Sequence, residues 1–287
     1  MKRTPGEIRK IILDKARDDE RIRAVLLNGS RANKKIEPDA LQDFDIVYLV
    51  NDMESFLKDH SWTTIFGGIR IRQMPALMEI GHSDNDRKPV SFSYLMLFMD
   101  GNRIDLTLFP MNKFETAFVP DSLTVVWLDK DDIFKNLPAP DDSDYLIKQP
   151  TQKEFTDVCN EFWWLCTYVS KGLLRNEIIY AKALMEKQVR QMFMRVLSWN
   201  IGVHSSFTVS LGKEGKYLQK YLPGKKYKLV LKTYSGFKKD KIWKSLFLMA
   251  DLFAEFAIEV AEKLQYNYNI DEQTKTLEWL RGQFKGR

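Results

Sequence analysis

Three aspartates in this chain stand where an aspartate costs most, in or beside runs that belong in buried strands. Asp45 lies within Phe44-Asp45-Ile46-Val47-Tyr48-Leu49-Val50, Asp43 immediately precedes that run, and Asp105 lies within Ile104-Asp105-Leu106-Thr107-Leu108-Phe109. β-Branched and aromatic residues of this kind suit a pleated, half-buried surface. Burying a carboxylate costs several kcal/mol per ion unless a cation compensates. The fold must therefore bring positive charge to these acids.

Side chains alternate faces along a strand, so Asp43 and Asp45 share one face, roughly 6.5–7 Å apart at about 3.3 Å per residue. Phe44 and Ile46 take the opposite face and anchor in the core. In the second strand Asp105, Thr107 and Phe109 face one way, and Ile104, Leu106 and Leu108 the other. Adjacent placement of the two strands would make the three carboxylates converge. Mg²⁺ suits such a set: it is hard, prefers oxygen, and is held by a few carboxylates plus substrate phosphates. Paired ions of this type stabilise the attacking and leaving oxygens of an in-line displacement at phosphorus.

Upstream, Arg23-Ala24-Val25-Leu26-Leu27 reads as a buried strand that stops at Asn28-Gly29-Ser30, with Arg31-Ala32 opening a short helix. Glycine lets a backbone approach a phosphate closely. N–H groups at a helix start bind anions, and the Ser30 hydroxyl adds a donor. No Gly-Lys-Ser/Thr of a Walker A loop is present, and no Gly-x-Gly-x-x-Gly dinucleotide fingerprint.

At these residues the chain resembles the nucleotidyltransferase superfamily of DNA polymerase β type, whose pattern is a hydrophobic residue, Gly-Ser, a spacer, Asp-x-Asp, and a later lone Asp between apolar residues. Here that pattern reads Leu27, Gly29-Ser30, Asp43-Phe44-Asp45-Ile46 and Ile104-Asp105-Leu106. Within the superfamily the chain resembles the aminoglycoside (streptomycin) 6-adenylyltransferases. That likeness rests on Gly29-Ser30-Arg31-Ala32, Phe92-Ser93-Tyr94-Leu95-Met96-Leu97-Phe98, Ile104-Asp105-Leu106-Thr107-Leu108, Cys159-Asn160-Glu161-Phe162-Trp163 and Lys171-Gly172-Leu173. It spans nearly the whole chain. Asn28 departs from the family's usual Glu before Gly-Ser; no acid of the metal set is touched.

The resemblance implies transfer of AMP from ATP to the 6-hydroxyl of streptomycin, with Mg²⁺ required and pyrophosphate released. It implies that Asp43 and Asp45 bind Mg²⁺, and that Gly29 and Ser30 hold the triphosphate. Asp105 is the third carboxylate, either ligating an ion or accepting the hydroxyl proton. Arg31, and Lys171 with Arg175 four residues apart on a helical face, are candidate cations for the triphosphate. A guanidinium-bearing acceptor calls for carboxylates and aromatic platforms. Candidates are Glu79, Asp84 and Asp86 ahead of the Phe92 strand, and Glu161, Trp163, Trp164 and Tyr168 on the first C-terminal helix.

The 287 residues, 44% hydrophobic and 13% aromatic, suffice for one large or two ordinary domains with a sizeable core. The expected class is α+β: a nucleotidyltransferase-type mixed sheet with flanking helices over 1–136, a Pro- and Asp-rich linker over 137–150, and a helical bundle domain over 151–287. Strands are expected near 22–28, 43–50, 69–74, 91–99, 103–109 and 123–128. Helices are expected over Gly6–Asp18, capped by Thr4 with Pro5 at its first position, near 53–59 and 112–117, and over Gln152–Lys171, Arg175–Trp199 and Lys241–Tyr266.

A net charge of +5, from 44 basic and 39 acidic residues, lacks the basic stripe of a nucleic-acid binder, and Lys225-Lys226-Tyr227-Lys228 reads as a solvated face. Cys159 and Cys166 fall two helical turns apart, about 10 Å, too far for a disulfide. Together with three scattered histidines they make no zinc pattern. The charged N-terminus is no signal peptide, and no apolar run reaches the ~18 residues of a membrane helix. The expectation is a cytoplasmic protein with small-molecule partners, ATP and an aminoglycoside, without nucleic acid or membrane, acting as a monomer or weak homodimer. Two alternatives remain at this level: the same chemistry on another hydroxylated acceptor, and a non-catalytic nucleotide-binding module.

Overall fold

The structure is a computed structural model and describes residues 2–80 and 90–286. The chain divides into two compact units, Met1–Asp144 and Tyr145–Arg287. The first contains α1 (Pro5–Asp18), β1 (Ile22–Asn28), β2 (Phe44–Val50), α2 (Met53–Leu57), β3 (Ile69–Gln73), β4 (Phe92–Phe98), β5 (Arg103–Pro110), α3 (Phe114–Ala117) and β6 (Val125–Asp129).

Helix α1 begins where the local chemistry dictates. Thr4 accepts from the Glu7 amide, the Glu7 carboxylate accepts from the Thr4 amide, and Pro5 fills the first turn. Such a reciprocal cap satisfies donors that the helix itself leaves unpaired. The helix buries Ile8, Ile12, Leu13 and Ala16 against the sheet face that carries Phe44, Ile46, Tyr48 and Val50. Tyr48 extends through this layer and donates to the Ile12 carbonyl at 2.6 Å. The opposite face is lined by Ala24, Leu26, Val47, Leu49, Phe109 and Phe134.

The strands run in the order β3-β4-β5-β2-β1-β6. All neighbours are antiparallel except β2 and β5, which are parallel and in register from Phe44↔Ile104 to Val50↔Pro110. Parallel neighbours need a long crossover, and α2, β3 and β4 lie within this one. The pair brings Asp45 and Asp105, each near the start of its strand, to the same end of the sheet.

The second unit is helical: α4 (Gln152–Leu174), α5 (Ile178–Leu184), α6 (Arg190–His204), α7 (Leu218–Tyr221), α8 (Gly224–Lys232), α9 (Lys239–Leu264) and α10 (Ile270–Lys285). Its core is continuous, with Phe162 of α4 stacked on Phe253 of α9 at 3.6 Å between ring centroids. The run expected as one helix over Arg175–Trp199 is divided. Asn176 adopts a positive φ of 64°, and a π-turn at Met185–Val189 joins α5 to α6. A single π-turn adds one residue while keeping one face buried, so the periodicity that suggested a continuous helix survives it. Cys159 and Cys166 are buried free thiols, and burial pushes both pKa values up. No helix of the described residues is long and apolar enough to cross a membrane.

Candidate active site

The parallel register sets Asp45 directly beside Asp105, and the antiparallel register sets Asn28 beside Asp45. These residues share the face of Val47 and Phe109, opposite α1, because each lies an even number of positions from those neighbours. Asp43 lies one residue before β2. Three carboxylates and the end of β1 therefore meet at one corner of the sheet.

The Gly29–Ser30–Arg31 turn closes that corner as a 3₁₀ turn, in place of the short helix expected from Arg31. Gly29 has φ of 73°, and a Cβ there would lie 2.2 Å from Asp45 Oδ2. Only glycine meets both requirements, a left-handed backbone and room for the carboxylate. Asn28, the departure from the family pattern, accepts a 2.9 Å hydrogen bond from Thr124 Oγ1 and so ties β1 to the segment before β6.

Arg31 braces the corner from behind. Its Nε donates to the Asp43 carbonyl at 2.9 Å and Nη2 to the Gln42 carbonyl at 2.6 Å. Its guanidinium lies 3.9 Å from the centroid of the Phe44 ring. Gln42 returns a hydrogen bond to the Ser30 carbonyl. These contacts fix the backbone that carries Asp43. They give the Arg31 guanidinium a place in holding the turn. Burial lowers its pKa.

Arg103 was not singled out in the sequence. Its Nε donates to Asp105 Oδ1 at 2.8 Å and its Nη2 to Asp105 Oδ2 at 2.7 Å. Nε also lies 3.6 Å from Asp43 Oδ2. The available signal was the period of two in Arg103-Ile104-Asp105, which places both side chains on one face. Asp105 holds the Arg103 pKa up.

Asp45 lies at the other electrostatic extreme. No hydrogen bond reaches its carboxylate among the described residues. Burial, then the negative charges of Asp105 and Asp43, push its pKa up to about 6. Burial also raises Asp43. Two carboxylates that cannot cheaply ionise together call for a cation beside them. As they stand, no three His, Cys, Asp or Glu side chains among the described residues are grouped as a finished metal cage. Asp105 is occupied by Arg103. The donor set nonetheless fits Mg²⁺: all-oxygen, trianionic, with one carboxylate uncompensated.

Glu79 is exposed in the segment after β3, and Asp84 and Asp86 lie outside the described residues. The other candidates belong to the helical unit. Glu161, Lys171 and Arg175 are exposed along and just beyond α4, with Lys171 Nζ 5.8 Å from the Tyr168 ring centroid. Trp163 requires correction. It is 2% exposed and packs in the core beside Phe253, with its Nε1 donating to Tyr268 Oη. It offers no platform. Its neighbour Trp164 is 56% exposed and donates to Tyr168 Oη. The phase of α4 decides this: Cys159, Trp163 and Cys166 share the buried stripe.

Sequence reasoning also missed a cavity of about 890 Å³ in the helical unit, walled by the π-turn and lined by Glu154, Glu186, Arg190, Trp199, Glu214 and Tyr234, among others. Arg190 is buried there, paired with Glu186 and stacked on Tyr234. The lining also includes Lys148, Lys187 and Arg195, so charge alone selects neither an anion nor a cation.

Residues 2–283 match the streptomycin adenylyltransferase family. An aminoglycoside 6-adenylyltransferase of Bacillus subtilis (strain 168) is 42% identical over 267 residues, 93% of each chain. One of Campylobacter jejuni is 42% identical over 271 residues, 94% of this chain and 93% of its own. The crystal structure of an aminoglycoside 6-adenyltransferase from Bacillus subtilis, 37% identical, aligns with a TM-score of 0.48 over 98% of this chain and 99% of that one. With the family match running almost end to end and the acid corner intact, the chain belongs to the streptomycin adenylyltransferase family.

Proposed function

We propose that the protein transfers the adenylyl group of ATP, with Mg²⁺, to a hydroxyl of an aminoglycoside, the 6-hydroxyl of streptomycin, and so inactivates the antibiotic. The observation that carries this reading is the in-register pairing of Asp45 with Asp105 beside the Gly29 turn. The acceptor class is supported by the names of the relatives. An ATP-consuming reaction of this kind belongs in the cytoplasm.

In this reading the acceptor oxygen attacks the α-phosphorus of ATP. The bond from that phosphorus to the bridging oxygen breaks, and pyrophosphate leaves. The hydroxyl proton passes to a carboxylate of the trio. Gly29 and Ser30 receive the triphosphate, while Arg31 keeps the turn and Asp43 in place. Asp43, Asp45 and Asp105 would hold Mg²⁺, which when bound neutralises phosphate charge and polarises the phosphoryl oxygens. The protein contributes position and charge rather than a covalent intermediate.

The test is mass spectrometry of streptomycin after incubation with the protein, ATP and Mg²⁺. The expected product carries one adenylyl group, located at position 6 by fragmentation. Pyrophosphate release with another acceptor alone would move the substrate. No release with any hydroxylated acceptor would reject the enzymatic reading and favour the nucleotide-binding module.

A further inference from the structure

We propose that Arg103 is a built-in counter-cation that occupies Asp105 in the ion-free protein and must release it before a divalent ion can bind. The inference rests on the metal-dependent reading above and adds a gate to it.

Both oxygens of Asp105 are engaged by the guanidinium in a fork. That geometry uses the carboxylate edge a metal ion would take. The same group leans on Asp43 at 3.6 Å, so one monocation spans two members of the trio. Asp45, the third, receives no hydrogen bond among the described residues. The charge problem posed by three neighbouring acids is thus partly solved without metal, by a residue of the same strand.

Arg103 is also free to leave. Its side chain is 43% exposed. Among the described residues its hydrogen bonds go only to Asp105. Arg31 is the opposite case: two backbone carbonyls and the Phe44 ring pin it in place. Of the two arginines at the corner, one is pinned by the backbone and the other is held only by the acids it covers. A divalent ion has to displace Arg103, and an ion that arrives with a triphosphate brings further ligands to the exchange. Arg103 thereby disfavours loading by a bare ion and favours the nucleotide complex. It acts through Asp105 and is a positioning residue.

The experiment is Mn²⁺ binding, followed by the electron paramagnetic resonance signal of the free ion, for wild type, Arg103→Gln and Arg103→Lys, with and without ATP. Without nucleotide, Arg103→Gln is expected to bind Mn²⁺ at least tenfold more tightly than wild type. Arg103→Lys, which keeps the charge but loses the fork, is expected to fall between them. In chelator the Gln variant is expected to melt below wild type and to recover on addition of Mn²⁺, which separates the exchange from failure to fold. Equal or weaker binding by Arg103→Gln, with wild type still binding Mn²⁺ in the presence of ATP, would overturn the gate alone. Absence of binding at this corner by every protein, even with ATP, would overturn the metal reading beneath it.

Discussion

The sheet unit treats its aspartates in two opposite ways. Asp19, just past α1, receives Lys15 Nζ at 2.8 Å, Arg21 Nη2 at 2.6 Å, and the Arg21 Nε and backbone amide. Asp100 receives Arg3 Nε at 2.6 Å and two donors from Asn102. Hydrogen bonds from Arg21 and from Arg3 hold these two carboxyls far below the usual range. Asp45, in the same unit, has no donor among the described residues and is pushed up to about 6. Where an acid only holds the fold, the chain surrounds it with cations and N–H groups. Where donors are withheld from a half-buried acid that has two like-charged neighbours, the fold alone does not account for it, and the proposed ion would.

Breaking that contrast at its functional pole should give the largest effect. Asp45→Asn removes a carboxylate from the proposed ion set, worth several kcal/mol of transition-state charge stabilisation. Turnover is expected to fall by about three orders of magnitude or more, read as pyrophosphate release, with the circular dichroism spectrum unchanged. Full activity in this variant would remove Asp45 from the chemistry.

Gly29→Ala is expected to come next. The added Cβ would meet Asp45 Oδ2 at 2.2 Å on a backbone with φ of 73°. The carboxylate must swing away, and displacements of this order cost about 100-fold in rate. The backbone strain adds about 1–3 kcal/mol, seen as a lower urea midpoint. A variant that keeps both rate and midpoint would show that the close approach has no function.

At the structural pole the effect is smaller and its pH sign is fixed. The lowered pKa of Asp100 means its stabilisation is present above the unfolded carboxyl pKa and is lost as pH falls below about 4. Asp100→Asn is expected to cost about 1–3 kcal/mol at neutral pH and to flatten the acid limb of the stability curve. Urea midpoints between pH 3 and 7 check this. Identical curves for wild type and variant would remove the structural half of the comparison.

Much of this architecture was legible because strands and helices have short periods. Alternation along Phe44–Val50 and Ile104–Phe109 placed the acids on one face, and the Thr4-Pro5 signal placed the start of α1. What local pattern does not encode is which distant strands become neighbours. The β2–β5 pairing spans some sixty positions of sequence, and the site exists only through it. Arg103 was hidden for a related reason: an arginine in a strand looks like a solvated edge residue until the strand pairing that gathers the acids beside it is known. Trp163 and Trp164 show the limit of resolution on a helix, since a 100° step separates core from surface. The Met185–Val189 turn left the apolar periodicity of its helix nearly unchanged, so nothing in the sequence marked it or the cavity it walls.

The proposed metal role requires Asp45 to be left uncompensated for a cation, at a cost to stability when none is bound. Its most direct test is thermal unfolding of the protein at pH 7.5, wild type against Asp45→Asn, in chelator and again with Mg²⁺ and ATP. A pKa raised from 3.8 to about 6 favours the folded state at low pH and loses that advantage as pH rises through 6. Above it the charged form costs about 2–3 kcal/mol at 1.36 kcal/mol per unit. In chelator the Asn variant should therefore unfold about 5 °C higher than wild type, and the stabilisation by Mg²⁺ and ATP seen in wild type should vanish in it. An Asn variant that is less stable in chelator, or that is stabilised by Mg²⁺ and ATP as fully as wild type, would contradict the claim.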